Sequence, residues 1–184
     1  MRKSIQTKLI DYLKLYDWQT MGNDFDWEVI KVITKFLESK GLKEGTNFNV
    51  YHEPNGGHSY PDIQLDLNGK SFYFECKTGK NDSSIMHNNT IPGDDGVIYL
   101  IRTYGPKSKD FTFMLDKDML SKSERSSLQL QKHYIDMINT NNSYDHCFVY
   151  ARTMIYIPTS VTKYTKDYRR LKRESNVYEF INKD

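Results

Sequence analysis

The stretch Tyr60-Pro61-Asp62-Ile63-Gln64-Leu65-Asp66-Leu67-Asn68-Gly69-Lys70-Ser71-Phe72-Tyr73-Phe74-Glu75-Cys76-Lys77 decides how this chain is read. Ile63, Leu65 and Leu67 alternate with Asp62, Gln64 and Asp66, the period of two expected of a strand with one buried face. Asn68-Gly69 is the strongest short hairpin signal, and the run Ser71 to Lys77 follows it directly as a second strand. Side chains two apart in a strand share a face, so Glu75 and Lys77 project together. Phe72, Phe74 and Cys76 face the opposite, apolar side, which suits a core. The turn brings Asp62, at the start of its strand, near the far end of the partner where Glu75 and Lys77 sit.

These residue types fit phosphodiester hydrolysis. Two carboxylates can hold one or two hard divalent cations, which prefer oxygen ligands. Such a cation polarises the phosphate, offsets transition-state charge and lowers the pKa of a bound water. A neighbouring lysine can orient or deprotonate that water and add positive charge at the phosphate. Glu-x-Lys alone carries almost no signal, since charges on an exposed hairpin face are common. Pro61-Asp62 ahead of the turn, with the correct phase in both strands, is what raises it. Cys76 reads as structural.

On the stretches Gly57 to Ile63, Asn68-Gly69-Lys70 and Phe74 to Thr78, the sequence resembles the PD-(D/E)xK nuclease superfamily, particularly type II restriction endonucleases. The order of elements matches over residues 25 to 103, although the motif itself is far shorter. The resemblance implies a restriction-endonuclease-like fold and a magnesium-dependent homodimer, with manganese able to substitute, that cuts both strands of double-stranded DNA at a short site. It gives Asp62 and Glu75 as metal ligands and Lys77 as the residue assisting the attacking water. Many members carry a further acid on the helix before the hairpin. Glu28, among Trp27, Val29 and Ile30, is the expected fourth catalytic and metal-binding member, with Glu38 the weaker choice; a glutamate among core-facing neighbours is costly unless paired. The alternative for Glu28 is a place at the solvent edge, or favour from the positive end of the helix dipole.

Outward from the hairpin, Ile5, Leu9, Ile10, Leu13 and Tyr16 recur at helical spacing, predicting a helix over 5–16. Asn23 or Asp24 suits the N-cap of a second helix from Phe25 to Ser39, ended by Gly41. Further strands are expected over 48–53, 96–103, 110–115, 146–151 and 154–158, with a helix over 117–139. The basic C-terminal segment 163–173 reads as helical. No internal repeat or long linker interrupts the chain, so residues 1–184 read as one nuclease domain. Helices before and after a group of strands predict an α/β fold, a mixed central sheet flanked by helices.

Two segments are candidates for DNA contact. The first follows Lys77 and is rich in short polar residues: Lys80, Asn81, Ser83, Ser84, His87, Asn88 and Asn89. Asparagine can pair with adenine, and serine and lysine can reach base edges or phosphates, although the same residues are ordinary loop formers. The second is basic. Lys163, Lys166, Arg169, Arg170, Lys172 and Arg173 stand against one acid, Asp167, so Lys166, Arg169 and Arg170 are expected to neutralise phosphates, with a solvated helix face as the equal alternative. His58 is a further phosphate candidate, and Arg102 and Lys107 add possible contacts. His52, His133 and His146 show no ligand spacing.

Composition bounds the rest. The net charge of +2 is close to neutral, so charge alone announces no nucleic-acid partner. Aromatic residues at 14% argue against disorder, because each buries much area. No apolar run approaches the ~20 residues of a membrane helix, and Cys76 and Cys147 form no disulfide framework or zinc motif. A cytoplasmic, bacterial or viral setting is expected. Two other functions stay open: a junction-resolving or repair nuclease, and a non-catalytic DNA-binding or toxin–antitoxin partner that keeps the hairpin.

Overall fold

In chain order the regular elements are α1 (Ile5–Leu15), α2 (Phe25–Ser39), β1 (Phe48–His52), β2 (Ile63–Leu67), β3 (Lys70–Lys80), β4 (Ile85–Asn88), β5 (Val97–Tyr104), β6 (Asp110–Leu115), α3 (Lys122–Asn141), β7 (Arg152–Ile155) and α4 (Tyr168–Ile181). The computed structural model describes residues 3–20, 22–56, 60–80, 85–88, 91–93, 95–105, 110–141, 152–155 and 168–183. For residues 23, 85–88, 141, 152–155, 168 and 169 it describes the backbone alone.

Five strands form one sheet in the order β1-β2-β3-β5-β6. β3 and β5 run parallel, while β1/β2, β2/β3 and β5/β6 are antiparallel, so the sheet is mixed as the sequence predicts. Asn68 and Gly69 both take positive φ, 52° and 80°, as a two-residue turn matching strand twist requires. That turn fixes the register Ile63↔Phe74, Leu65↔Phe72 and Leu67↔Lys70.

The alternation in the hairpin sorts side chains to two layers. Ile63, Leu65, Leu67, Phe72 and Phe74 join Ile98, Leu100, Phe111 and Phe113 in one buried cluster. Leu9, Ile10 and Leu13 of α1, Val29, Ile33, Phe36 and Leu37 of α2, and Val177 and Ile181 of α4 close over them. Each such side chain contributes about 1.5–3 kcal/mol by leaving water, so this helical layer holds most of the fold. On the opposite face Val97, Tyr99, Ile101, Met114 and Met119 form a second, smaller cluster with Tyr60 and Tyr73 at its edge. β5 is buried on both faces, as a central strand with a parallel neighbour should be.

Local chemistry sets the helix boundaries. Ser4 caps α1 by accepting from the Thr7 amide at 3.1 Å. Asp24 occupies the N-cap position of α2 but makes no side-chain cap bond. The helix expected over 117–139 instead begins at Lys122. There Ser121 and Glu124 form a reciprocal capping box: the Ser121 amide donates to Glu124 at 2.8 Å and the Glu124 amide to Ser121 Oγ at 3.3 Å. Residues 116–118 make a separate 3-10 turn, closed over the buried Asp116 carboxylate that accepts from the Asp95 and Lys117 amides.

Two further expectations change. The polar stretch after Lys77 is not one loop: β3 continues to Lys80, and β4 then pairs antiparallel with β7 in a separate two-stranded sheet. The strand expected over 154–158 is Arg152–Ile155, whereas the one expected over 146–151 lies outside the described residues. No helix among the described residues is long and apolar enough to cross a membrane.

Candidate active site

Asp62 stands immediately before β2, and Glu75 and Lys77 lie near the middle of β3, so the hairpin sets all three side by side. The bonds between them are reciprocal. The Cys76 amide donates to Asp62 Oδ2 at 2.7 Å, and the Asp62 amide donates to Glu75 Oε2 at 3.2 Å. Lys77 Nζ donates to Glu75 Oε1 in a very short contact. Glu75 is only 5% exposed. Phe72, Phe74 and Cys76 turn into the helical layer, as strand phase predicts.

Burial dominates the electrostatics. It pushes the Asp62 carboxyl up, against the pull of Lys77 and the Cys76 amide. Glu75 is raised in the same way, with Asp62 adding to the push and Lys77 opposing it. Burial also works against the Lys77 ammonium, but Glu75 and Asp62 outweigh it and raise its pKa. Lys77 is therefore held as an ammonium. In this state it supplies charge and hydrogen bonds rather than a free amine to take a proton.

Two carboxylates balanced by one ammonium leave net negative charge in a low-dielectric pocket. Hard oxygen donors with excess negative charge fit magnesium, which keeps several waters and commonly takes only one or two protein carboxylates. No group of three or more histidine, cysteine or acidic side chains suited to a metal occurs among the described residues. If the site takes such an ion, the two adjoining carboxylates of Asp62 and Glu75 are the residues that would hold it.

Glu28 goes elsewhere. Its carboxylate accepts from the amides of Gln19 (2.9 Å) and Thr20 (2.9 Å) and from Thr20 Oγ1 (2.6 Å), with Arg102 Nη1 at 3.9 Å. Burial raises its pKa, but these bonds outweigh that and bring it below the ordinary value. None of its contacts among the described residues is with Asp62 or Glu75. Glu28 organises the segment between α1 and α2. Arg102, which the sequence offers to phosphate, is buried with it and donates to the Trp18 carbonyl.

The α2 acid whose field does reach Asp62 is Asp26, paired with His52 at the end of β1. His52 Nε2 and Asp26 Oδ2 are 2.6 Å apart, and the Trp27 ring lies over the imidazole with centroids 4.1 Å apart. Sequence reasoning missed this pair, because the two residues lie 26 positions apart. The available signal was the alternation Phe48, Val50, His52, which puts a histidine where an aliphatic residue belongs.

The proposed DNA contacts divide. Lys80 is exposed at the end of β3. His87 and Asn88 lie in β4, at register positions opposite Thr153 and Arg152. Arg169 is placed by its backbone alone, in the first turn of α4. His58, Asn81, Ser83, Ser84, Asn89, Lys107 and Lys166 lie outside the described residues. Arg170 is a correction. Its guanidinium bonds both oxygens of Asp110 (2.5 and 3.2 Å), the Phe111 carbonyl (2.9 Å) and Glu174 (3.1 Å), tying α4 to β6. A guanidinium so engaged anchors the fold and is not presented to phosphate. Glu174 also takes Lys14 of α1 at 2.5 Å and Thr112 of β6 at 2.9 Å.

No protein-family model and no curated protein matches this chain.

Proposed function

We propose that the protein is a magnesium-dependent endonuclease that hydrolyses phosphodiester bonds of double-stranded DNA at a short sequence, in the manner of type II restriction enzymes. The observation that carries this reading is the interlocked cluster of Asp62, Glu75 and Lys77 on one hairpin. Asp62 and Glu75 would hold magnesium, which when bound would supply Lewis-acid activation of the phosphate and of water. Lys77 places its ammonium charge beside the reacting phosphate, where charge accumulates in the transition state. The water oxygen would add to phosphorus as the P–O3′ bond breaks; the proton lost by the water passes to solvent, and the departing O3′ takes a proton from solvent to leave as a hydroxyl. The β4/β7 ribbon, two strands wide, matches what the major groove admits and is the proposed reading element. A homodimer in a cytoplasmic setting completes the proposal.

Supercoiled plasmid incubated with the protein and magnesium tests it. Discrete fragments with a common end sequence support site-specific restriction. Preference for branched over linear duplex points instead to a junction-resolving nuclease. No cleavage with either magnesium or manganese overturns the hydrolytic reading.

A further inference from the structure

Trp27 stands on the wrong side of α2 for a large aromatic residue. Val29, Ile33, Phe36 and Leu37 carry the core face of this helix and are buried. Trp27 lies off that face with 48% of its surface exposed, where an amphipathic helix ordinarily places a polar residue. The His52 ring packs on the indole with centroids 4.1 Å apart and holds it in place.

Trp27 borders a cavity of about 390 Å³ whose other walls are Thr20, Asp24, Glu28 and Lys31. That volume falls within the roughly 300–1,000 Å³ of small-molecule sites. Asp24, Trp27, Glu28 and Lys31 share one helix face, because residues three and four apart are surface neighbours. The cavity therefore runs along the first two turns of α2, with Thr20 closing it from the preceding segment. Glu28 is its buried wall. The Glu28 carboxylate already accepts from Gln19 and Thr20 and has Arg102 Nη1 at 3.9 Å. The charges left at the mouth are Asp24 and Lys31, both exposed. Asp24 makes no side-chain cap bond, and Lys31 has no ion pair among the described residues.

These walls specify a ligand with three parts. An exposed indole stacks planar rings, and such stacking accepts any nucleobase. A carboxylate accepts hydrogen bonds from the amino groups that bases carry on their edges. A lysine ammonium attracts phosphate as a point charge. Asp24 and Lys31 are seven positions apart, which is about 10 Å along a helix axis. A nucleotide spans such a distance from the amino edge of its base to its 5′-phosphate, and its rings lie between, where Trp27 stands.

We propose that this cavity is a nucleotide-binding site, which stacks a base on Trp27, takes the exocyclic amino group of that base at Asp24 and holds the phosphate at Lys31. The nucleotide is either free or the unpaired end of a strand. The site shares no residue with the hairpin of Asp62, Glu75 and Lys77, and the inference does not depend on phosphodiester cleavage.

The test uses the full chain in EDTA, which removes metal-dependent binding at the hairpin. With two tryptophans the chain gives two indole N–H signals in a nitrogen-15 spectrum, and Trp27→Phe identifies that of Trp27. Adenosine, cytidine and guanosine 5′-monophosphates should shift the Trp27 signal saturably. The signal of Trp18, whose Nε1 donates to the Leu13 carbonyl, should stay in place. Uridine monophosphate should bind about tenfold more weakly, since its base offers an acceptor where cytosine offers an amino group. In calorimetry Trp27→Ala should weaken adenosine monophosphate about 10- to 100-fold, the range of base–aromatic stacking. Lys31→Gln should weaken the monophosphate several-fold and leave adenosine unchanged. Asp24→Ala should narrow the gap between cytidine and uridine monophosphates. Tighter Trp27-dependent binding of single-stranded oligodeoxyadenylate than of the monophosphate assigns the site to a strand; the reverse assigns it to a free nucleotide.

All three side chains are exposed, so the variants should melt close to wild type. If Trp27→Ala fails to fold, the adenosine comparison in Lys31→Gln decides. A Trp27 signal unmoved by every monophosphate and by the strand overturns the proposal. So does nucleotide binding that ignores Trp27→Ala and Lys31→Gln. Binding lost in Asp62→Asn would put the nucleotide at the hairpin and overturns it as well. N-acetylarginine, with a cation and a carboxylate, stands in for a peptide; its capture at Trp27 in place of the nucleotides also overturns the proposal. Plasmid left uncut in magnesium overturns the nuclease reading alone, while failed titrations overturn this site alone.

Discussion

The Asp62 amide donates to the Glu75 carboxylate at 3.2 Å, while the amide of Cys76, next to Glu75, donates back to Asp62 at 2.7 Å. Each acid is thus positioned by the other strand's backbone, and the spacing of the two carboxylates is set by the hairpin ladder rather than by flexible side chains.

Such a pair works against the stability of the fold that carries it. A carboxylate whose pKa is raised by burial is disfavoured in its charged form, so at neutral pH it subtracts from stability, and that cost is relieved as pH falls. Asp62→Asn keeps an acceptor for the Cys76 amide while removing the charge. It is expected to abolish metal-dependent cleavage and to raise the melting temperature at pH 7 by roughly 2–4 °C, equivalent to about 1 kcal/mol in a chain of this size. Calorimetry beside plasmid cleavage checks both halves; a lower melting temperature, or surviving cleavage, counts against this account.

The pH dependence of cleavage should be one-sided. Asp62 and Glu75 must be ionised to hold a cation, and both are pushed up by burial, so the acid limb should lie above the ordinary carboxylate value of about 4. Lys77 is raised from its ordinary value, which leaves no basic limb from this residue below about pH 10. Initial rates at fixed free magnesium between pH 5 and pH 9 read this directly. A descending basic limb would mean that the Lys77 ammonium, or another group needed in its protonated form, loses its proton within that range; a second ascending limb near pH 8 would mean that a neutral Lys77 is the base.

Lys77→Met removes the cation that balances Glu75. Cleavage should fall about 10²- to 10³-fold, the usual loss for a group stabilising transition-state charge. Stability should fall by about 2 kcal/mol, less than the full cost of an orphaned buried charge because Glu75 is already prone to protonation. Adding Glu75→Gln should recover much of that stability and none of the activity. Urea titration of the two single variants and the double variant gives the coupling; strict additivity would deny the pair.

Arg170→Met separates anchoring from DNA contact. It leaves Asp110 without its guanidinium partner and strips one bond from Glu174, so a loss of about 3 kcal/mol is expected in urea titration. Cleavage per folded molecule and its salt dependence should stay at the wild-type level. A shallower salt slope with unchanged stability would return Arg170 to the phosphate-binding surface.

Glu28→Gln makes the same separation for α2. Weakening the acceptor of two amides, a hydroxyl and the Arg102 charge should cost about 1–3 kcal/mol, with folded-state activity retained. The Glu28 pKa lies below its ordinary value, so its contribution is present above the unfolded pKa of about 4.5 and fades as pH falls through the folded one. The stability gap between wild type and variant should therefore be full at pH 7 and shrink in acid. A gap independent of pH would reject the charge-based explanation.

Local signals explain what the sequence revealed of this architecture. The apolar period and Gly41, which takes φ 81°, bounded the second helix at Phe25 and Ser39, and the Asn-Gly turn with its flanking alternation placed the hairpin. The cluster of Asp62, Glu75 and Lys77 follows from that alternation alone. What escaped depends on distant partners. Arg170 sits in a basic run that looks solvated, and Asp110, 60 positions away, together with the Phe111 carbonyl and Glu174, turns it inward. The polar stretch after Lys77 reads as loop until β7 supplies a strand to pair with it. The start of α3 is the exception, since Ser121-Lys122-Ser123-Glu124 is a local capping signal that the sequence already displays.

The Asn68-Gly69 turn has a further consequence, one of parity. Because strand side chains alternate, adding or removing a single residue in that turn would exchange every inward and outward position of β3 against β2. Phe72 and Phe74 would leave the core in the same step that carried Glu75 and Lys77 into it. An odd change in turn length would then destroy packing and chemistry together. An even change could spare the core while displacing Asp62 from its partners. The ladder therefore lets the fold and the active centre drift in sequence, but not independently in phase.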